Sequence, residues 1–373
     1  MQNIQWSGTN LSTYALLQDY GLSTMSIVPA PSLFLLSEAQ RGISKHALRA
    51  IAQDLKYLFC CLLRMNKDWR DVTDSDMTSY IHSHLIRVRE LKGNSVMRHK
   101  SSISSFYNFG WASGLLSAPK NFTFYYNRDE TKQHRRNRKR VDFNLKNQFL
   151  DRVLFDEVLS GVVAHSDFIR ERNELTLQMG FLGGLRTSEV TDKRNLITTD
   201  LKLLILEAEK SGQNTITVKI FGKGMKLRSV DFPPSLTKKI KYFMEGRRKN
   251  IKDGPLICSI HGEALRDSHA TDVFKRAKRF IQHKIPSKLD SLSADTLNHY
   301  YVNYSAFKDL TFHCLRHTYA TNLVDFCYRH GFNPWDYVPQ QMGHDDDDTT
   351  REYVVFDGLI HRREKVRRAL EDD

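Results

Sequence analysis

One stretch of sequence does most to decide what this chain can fold into. From Asn127 to Lys146 it reads NRDETKQHRRNRKRVDFNLK, with Arg128, Lys132, Arg135, Arg136, Arg138, Lys139, Arg140 and Lys146 crowded among almost no apolar residues. Such a segment has too little apolar surface to offset the entropy of ordering it, so it reads as a linker. It interrupts a chain of 373 residues, and each side is long enough to bury a core of its own. The expected organisation is an N-terminal extension over 1–40, a helical domain over 41–127, the linker over 128–146 and a larger domain over 147–373.

Before the linker the pattern is helical. Leu48, Ile51, Leu55, Leu58, Phe59 and Leu62 recur at the spacing of a helix buried on one face, over Lys45 to Met65. A second helix is signalled by Thr73 as N-cap with Asp76 three residues on, followed by the stripe Met77, Ile81, Leu85 and Val88. A third, from about Ser95 to Leu116, carries Val96, Ile103, Phe106, Tyr107 and Trp111, and together the three predict a compact bundle. Residues 1–40 hold an apolar patch around Ser32 to Leu36 but no sustained period, so their role stays open.

After the linker, Phe149–Ala164 and Arg170–Leu182 read as helices, and Gly183 and Gly184 end the second so that Arg186 starts a new short helix. The short runs Leu201–Leu206, Thr215–Phe221 and Leu227–Phe232 read as strands of a small antiparallel sheet, the last two joined by a GKGMK turn. Helical patterns return over Ser235–Lys249 and Asp267–His283, and a polar, aperiodic stretch to about Lys308 reads as an insertion. Further helices follow over Phe312–Arg329 and Pro334–Met342, around Tyr353, and in the basic terminus HRREKVRRAL. The chain is thus expected to be multidomain and mostly α, a helical bundle followed by a mixed α/β domain.

Charge bears on the partner. Lysine and arginine number 56 against 43 acids, a net charge of +13 that favours a polyanion, nucleic acid first. No apolar run reaches the roughly 18 residues of a membrane span, and the polar start MQNIQWSGTN lacks a secretory layout. A cytoplasmic protein is expected. Its five cysteines, with no CxxC pair, read as reduced core thiols.

Local chemistry sharpens the choice. Arg186 lies in GGLRTSEV, His313 and Arg316 in HCLRHTYATNL, and His344 and Tyr353 in GHDDDDTTREY. Three residues apart on a helix, His313 and Arg316 share a face. These residues resemble the tyrosine recombinase family, the phage-integrase-like enzymes that break and join DNA. The family's GLRxSE segment is matched by GLRTSE at Arg186, its HxLRHTfAT helix by HCLRHTYAT, its GH…TT…Y ending by GHDDDDTTREY, and its hairpin GKGxKxR by GKGMKLR at Lys223. The match covers about residues 145–373, and the bundle looks like the family's SAM-like core-binding domain by architecture alone.

The resemblance implies a site-specific recombinase that integrates or excises a mobile element through a 3′-phosphotyrosine intermediate. It implies the catalytic set Arg186, Lys223, His313, Arg316, His344 and Tyr353. The expected partner is double-stranded DNA at specific sites near the bacterial nucleoid, gripped by a C-shaped clamp and a homo-tetramer, with accessory DNA-bending or directionality proteins. No membrane, metal or cofactor is required. Arg135, Arg136, Arg138, Lys139 and Arg140 of the linker are expected to track phosphates.

The residue types suit phosphoryl transfer, whose transition state spreads charge over non-bridging oxygens. Arg186 and Arg316 offer planar, permanently charged forks. Tyr353 is the expected nucleophile, with a base such as His313 taking its proton; Lys223 protonates the leaving 5′ oxygen, and His344 donates to the phosphate. Several alternatives stand beside this. Lys226 competes with Lys223, His313 and His317 have the spacing of a zinc pair without an HExxH pattern, and Asp345 to Asp348 either cap the next helix or ligate magnesium. At the level of function the rivals are a type IB topoisomerase and a non-catalytic DNA-binding accessory protein.

Overall fold

A computed structural model of the chain describes residues 2–5, 11–19, 25–91, 93–124, 143–222, 226–293, 302–343, 347–362 and 370. The chain divides into two compact units, Met1–Arg136 and Asn137–Asp373, the break falling inside the basic stretch.

The first unit opens with two antiparallel pairs, β1 (Gln2–Gln5) with β2 (Ser12–Ala15) and β3 (Leu17–Asp19) with β4 (Met25–Ile27). Helices α1 (Pro29–Gln40), α2 (Lys45–Arg64), α3 (Asp74–Ser79) and α4 (Gly93–Ala112) follow, α3 running on into a π-helical segment, Tyr80–Val88. Ser44 caps α2, and the expected Thr73–Asp76 capping box starts α3. Leu48, Leu55, Met77, Ile81, Phe106 and Tyr107 share one core with Leu16, Phe34 and Leu35. Residues set apart in the sequence as an extension therefore help to build this core. Their period was illegible because α1, PAPSLFLLSEAQ, is apolar beyond its buried face, with Leu33 exposed. Within the bundle Asp54 is fully buried and accepts both a two-pronged bond from Arg98, at 3.0 and 2.7 Å, and one from Ser102 Oγ at 2.9 Å.

The second unit contains α5 (Arg152–Ser160), α6 (Asp167–Gly183), α7 (Thr187–Thr191), α8 (Thr198–Lys210), β5 (Ile216–Phe221), β6 (Leu227–Phe232) and α9 (Pro234–Glu245). It continues with α10 (His269–Ile281), α11 (Ile285–Ser293), α12 (Tyr304–Asp309), α13 (His313–His330), α14 (Pro334–Met342) and α15 (Asp347–Asp357).

Three expectations are corrected. Leu201–Leu206 is not a strand but the middle of α8: Leu201, Ile205 and Ala208 are buried at helical spacing while Leu203 and Leu206 face solvent. The sheet expected of three strands is accordingly the β5–β6 hairpin alone, paired from Ile216↔Phe232 to Phe221↔Leu227. The stretch read as an insertion up to Lys308 holds α11 and most of α12, and it places Ile285, Leu289, Val302 and Phe307 in the main core. Cys258, Cys314 and Cys327 are buried as expected, but Cys60 is exposed and Cys61 half-buried; all five are free.

Glycine lets α6 and α13 meet closely enough to join two motif segments. A Cβ on Gly180 would lie 2.7 Å from the Phe312 ring. Gly184, which ends α6 in the left-handed region at φ +61°, lies so close under the Tyr319 ring that a Cβ would have no room.

Candidate active site

Arg186 ends the αL turn after α6 and caps α7. Its backbone N–H donates to Glu189 Oε2 at 2.8 Å and its Nη1 to Glu189 Oε1 at 2.7 Å, so the carboxylate of the third helical residue reaches back to the N-cap and fixes the arginine at the helix start. Arg316 comes from the first turns of α13, 2% exposed. Its Nη1 donates to Gly184 O at 2.5 Å and its Nη2 to Met342 O, and Nη1 lies 4.0 Å from Glu189 Oε2. One buried carboxylate therefore stands between the two arginines of separate motifs.

A third arginine, not singled out in the sequence, completes the cluster. Arg228 of β6 donates from Nη1 and Nη2 to Glu189 Oε1 and Oε2, at 2.5 and 2.9 Å, and from Nε to Gln341 O at 2.9 Å. Its signal was present in strand alternation, because Arg228 shares the inward face of LRSVDF with the buried Val230 and Phe232. Burial alone would raise the Glu189 pKa; the hydrogen bonds and charge of Arg228, the Arg186 N–H and the Arg316 charge overcome it and hold the group down at about 2. It is an anion at neutral pH.

Tyr353, on α15, is 4% exposed, and its Oη shares a 2.8 Å hydrogen bond with His317 Nδ1. The imidazole in contact with this hydroxyl is that of His317, one turn further along α13 than His313. The His313 ring packs edge-on against His317 at 4.5 Å between centroids. Burial pushes Tyr353 up to about 12, with the Arg316 and Arg186 charges pulling the other way, so the hydroxyl is protonated at neutral pH. The protein packed around His313, and then Arg316 and Arg186, push its pKa down to about 4, although the side chain reaches solvent; it is neutral at pH 7.

Of the expected set, Arg186, His313, Arg316 and Tyr353 thus gather in the second unit. Lys223 and His344 lie outside the described residues, as do Arg135, Arg136, Arg138, Lys139 and Arg140. Residues beside Lys223 and His344 are described. Gly222 N donates to Lys226 O at 2.8 Å across the hairpin turn, and Gly343, at φ +60°, ends α14 directly before His344. Asn195 ties the Arg186 turn to the hairpin: its Nδ2 donates to Glu189 O and Phe221 O, at 3.0 and 3.1 Å, and its Oδ1 accepts from Phe221 N at 2.8 Å. Of the expected basic terminus, Arg362 turns inward to Asp357 at 2.8 Å and Asp325 at 3.3 Å. Among the described residues no group of three or more His, Cys, Asp or Glu side chains is arranged to hold a metal ion, and no helix is long and apolar enough to cross a membrane.

A cluster of arginine donors, one of them buried, near a tyrosine hydroxyl is an arrangement for gripping a phosphate and attacking it. The chain is similar to known proteins. A tyrosine recombinase of Thermosipho africanus is 23% identical over 321 residues, 84% of this chain and 90% of that protein. The XerD tyrosine recombinase of Oceanobacillus iheyensis is 24% identical over 324 residues, 84% of this chain and 89% of its own. The solved XerH site-specific recombinase, in a post-cleavage complex with palindromic difH substrate, superposes with a TM-score of 0.58 at 16% identity, covering 92% of this chain and 85% of that one; it shares the fold. Since the model of the phage integrase family matches residues 156–357, more than half the chain and every described member of the cluster, the protein belongs to the phage integrase family.

Proposed function

We propose that the protein is a site-specific DNA recombinase of the integrase type, cutting and rejoining DNA through a 3′-phosphotyrosine. The observation that carries this is the placement of Tyr353 Oη on His317 Nδ1 in the unit where Glu189 organises Arg186 and Arg316. In this reading Arg186 and Arg316 hold the non-bridging oxygens of the scissile phosphate. Tyr353, neutral at rest, surrenders its proton to His317 as its oxygen attacks phosphorus. Lys223 protonates the leaving 5′ oxygen, His344 donates to the phosphate, and His313 supports His317 from behind. Storing the bond on tyrosine lets a second 5′ hydroxyl reseal it without ATP or metal. The working form is a tetramer on two duplex sites in the bacterial cytoplasm, at the nucleoid, with the basic linker on the phosphates and accessory bending proteins as partners.

The test is covalent trapping on nicked duplexes tiled from the DNA that flanks the gene. Wild-type protein is expected to form a denaturant-resistant adduct at one position, and Tyr353→Phe, which keeps the ring and loses only the attacking oxygen, is expected to bind that duplex without forming it. An adduct in Tyr353→Phe would remove Tyr353 from the chemistry, and binding with no adduct from either protein would favour an accessory role. Strand exchange between two trapped sites separates a recombinase from a topoisomerase.

A further inference from the structure

We propose that Arg362 is a positioning residue for the nucleophile: it clasps the end of α15 to α13 and so sets the Tyr353 hydroxyl against His317. The inference rests on the reading of Tyr353 as the attacking group. Arg362 comes from the basic run HRREKVRRAL and closes a short π-helical turn, Gly358–Arg362, that follows α15. Its Nε donates to Asp357 Oδ2 at 2.8 Å, and its Nη2 reaches Asp325 Oδ1 of α13 at 3.3 Å. The guanidinium carbon lies 4.3 Å from the centre of the Tyr328 ring, also on α13. One planar fork thus spans the two helices that carry the nucleophile and its base.

Asp357 is four residues after Tyr353, one turn or ~6 Å further along α15 and on the same face. Asp325 is eight residues after His317, ~12 Å further along α13. The two helices are therefore pinned at two levels, by Arg362 at one and by the 2.8 Å Tyr353–His317 bond at the other. The apolar packing between them, with Val324 and Phe356 in one core, attracts without fixing register, because burial is non-directional. Asp357 makes the clasp necessary. It is 0% exposed, its Oδ2 is held by Arg362, and its Oδ1 has no hydrogen-bond partner among the described residues. Burial pushes its pKa up and the Arg362 guanidinium pulls it back. Without Arg362 an ionised Asp357 would be an unpaired charge in the interior, a state relieved by swinging the end of α15 toward water. Asp325 keeps a second partner, Arg329 Nε at 2.7 Å, so the α13 end of the clasp stays in place.

The test is single-turnover adduct formation by the full chain on a duplex it cleaves, with binding to that duplex measured separately. Arg362→Gln is expected to bind as wild type does and to reach the same final extent of adduct, but ~10- to 100-fold more slowly, the cost of displacing a reacting atom by about an ångström. A merely structural loss would instead lower binding and final extent together. The deficit should also depend on His317: in a His317→Phe background, where the contact is already gone, Arg362→Gln should cost no more than about threefold further. Arg362→Lys, which keeps the charge but cannot span both carboxylates, should fall between wild type and Arg362→Gln. A rate within about twofold of wild type from folded Arg362→Gln, equal losses of binding and rate, or full additivity with His317→Phe would each overturn the inference. Tyr353→Phe decides the reading beneath it separately, since an adduct from that variant would leave Arg362 no nucleophile to position. If Arg362→Gln does not fold, Asp325→Asn loosens only the α13 end of the clasp and must show the same split between rate and binding, in weaker form, or the inference falls.

Discussion

Glutamine in place of Glu189 should cost the second unit about 3 kcal/mol at neutral pH, and the loss should vanish in acid. Glu189 is 1% exposed, so little solvent screening discounts its interactions. Its carboxylate is held at about 2, against an ordinary value of 4.5. A difference of about 2.5 units, at ~1.36 kcal/mol each, gives about 3 kcal/mol of preference for the charged form in the folded state. Removing one partner of a buried ion pair costs ~3 to 5 kcal/mol by an independent route, because the charges left behind are unpaired; here Arg186, Arg228 and Arg316 would be left facing one another.

The direction with pH follows from the depressed value. The stabilisation is fully present above the unfolded pKa near 4.5 and is lost as pH falls through the folded value of about 2. Wild type and Glu189→Gln should therefore differ by about 3 kcal/mol at pH 7, corresponding to roughly 6–12 °C in the melting temperature of a unit this size, and should converge between about pH 4.5 and pH 2. Urea unfolding of the full chain, read by hydrogen exchange at the amides of α13, isolates the second unit. A gap below about 1 kcal/mol at pH 7, or one that stays constant down to pH 3, would refute the claim that this carboxylate holds the arginines as an anion.

Two further outcomes are expected. Arg316→Lys should bind DNA but cleave ~10² to 10³ more slowly, since one ammonium cannot reach both Gly184 O and Met342 O and still present a planar fork to the phosphate; near-normal cleavage by the folded variant would remove Arg316 from the transition state. Replacing Arg135, Arg136, Arg138, Lys139 and Arg140 together by glutamine should flatten the dependence of log affinity on log salt by close to ~0.9 for each phosphate no longer neutralised, and an unchanged slope would take the linker off the DNA.

What could be read from the sequence, and what could not, divides along a physical line. Residues whose signal is local were legible: the Thr73–Asp76 capping box, the stripe of α2, and Arg186 and Arg316, carried in contiguous segments with the spacing of a known family. Elements decided by tertiary burial were not. The run LKLLIL has the length and apolarity of a strand, and only the solvent on Leu203 and Leu206 tells it from one; α11 was hidden because a polar helix needs few anchors, here Ile285 and Leu289. The site repeats the division. Its cations belong to separate segments, but their spacing is set by Glu189, and a carboxylate at the third position of a helix reads simply as a cap until three arginines from α7, β6 and α13 are seen to converge on it. Likewise His313 and His317 differ by one turn of α13, a distinction that helical spacing cannot make; what selects His317 is the packing of α15 against α13, which sets the Tyr353 hydroxyl beside its ring. In this site the buried acid offsets the mutual repulsion of three arginines, which would otherwise favour spreading the donors apart before any phosphate arrived.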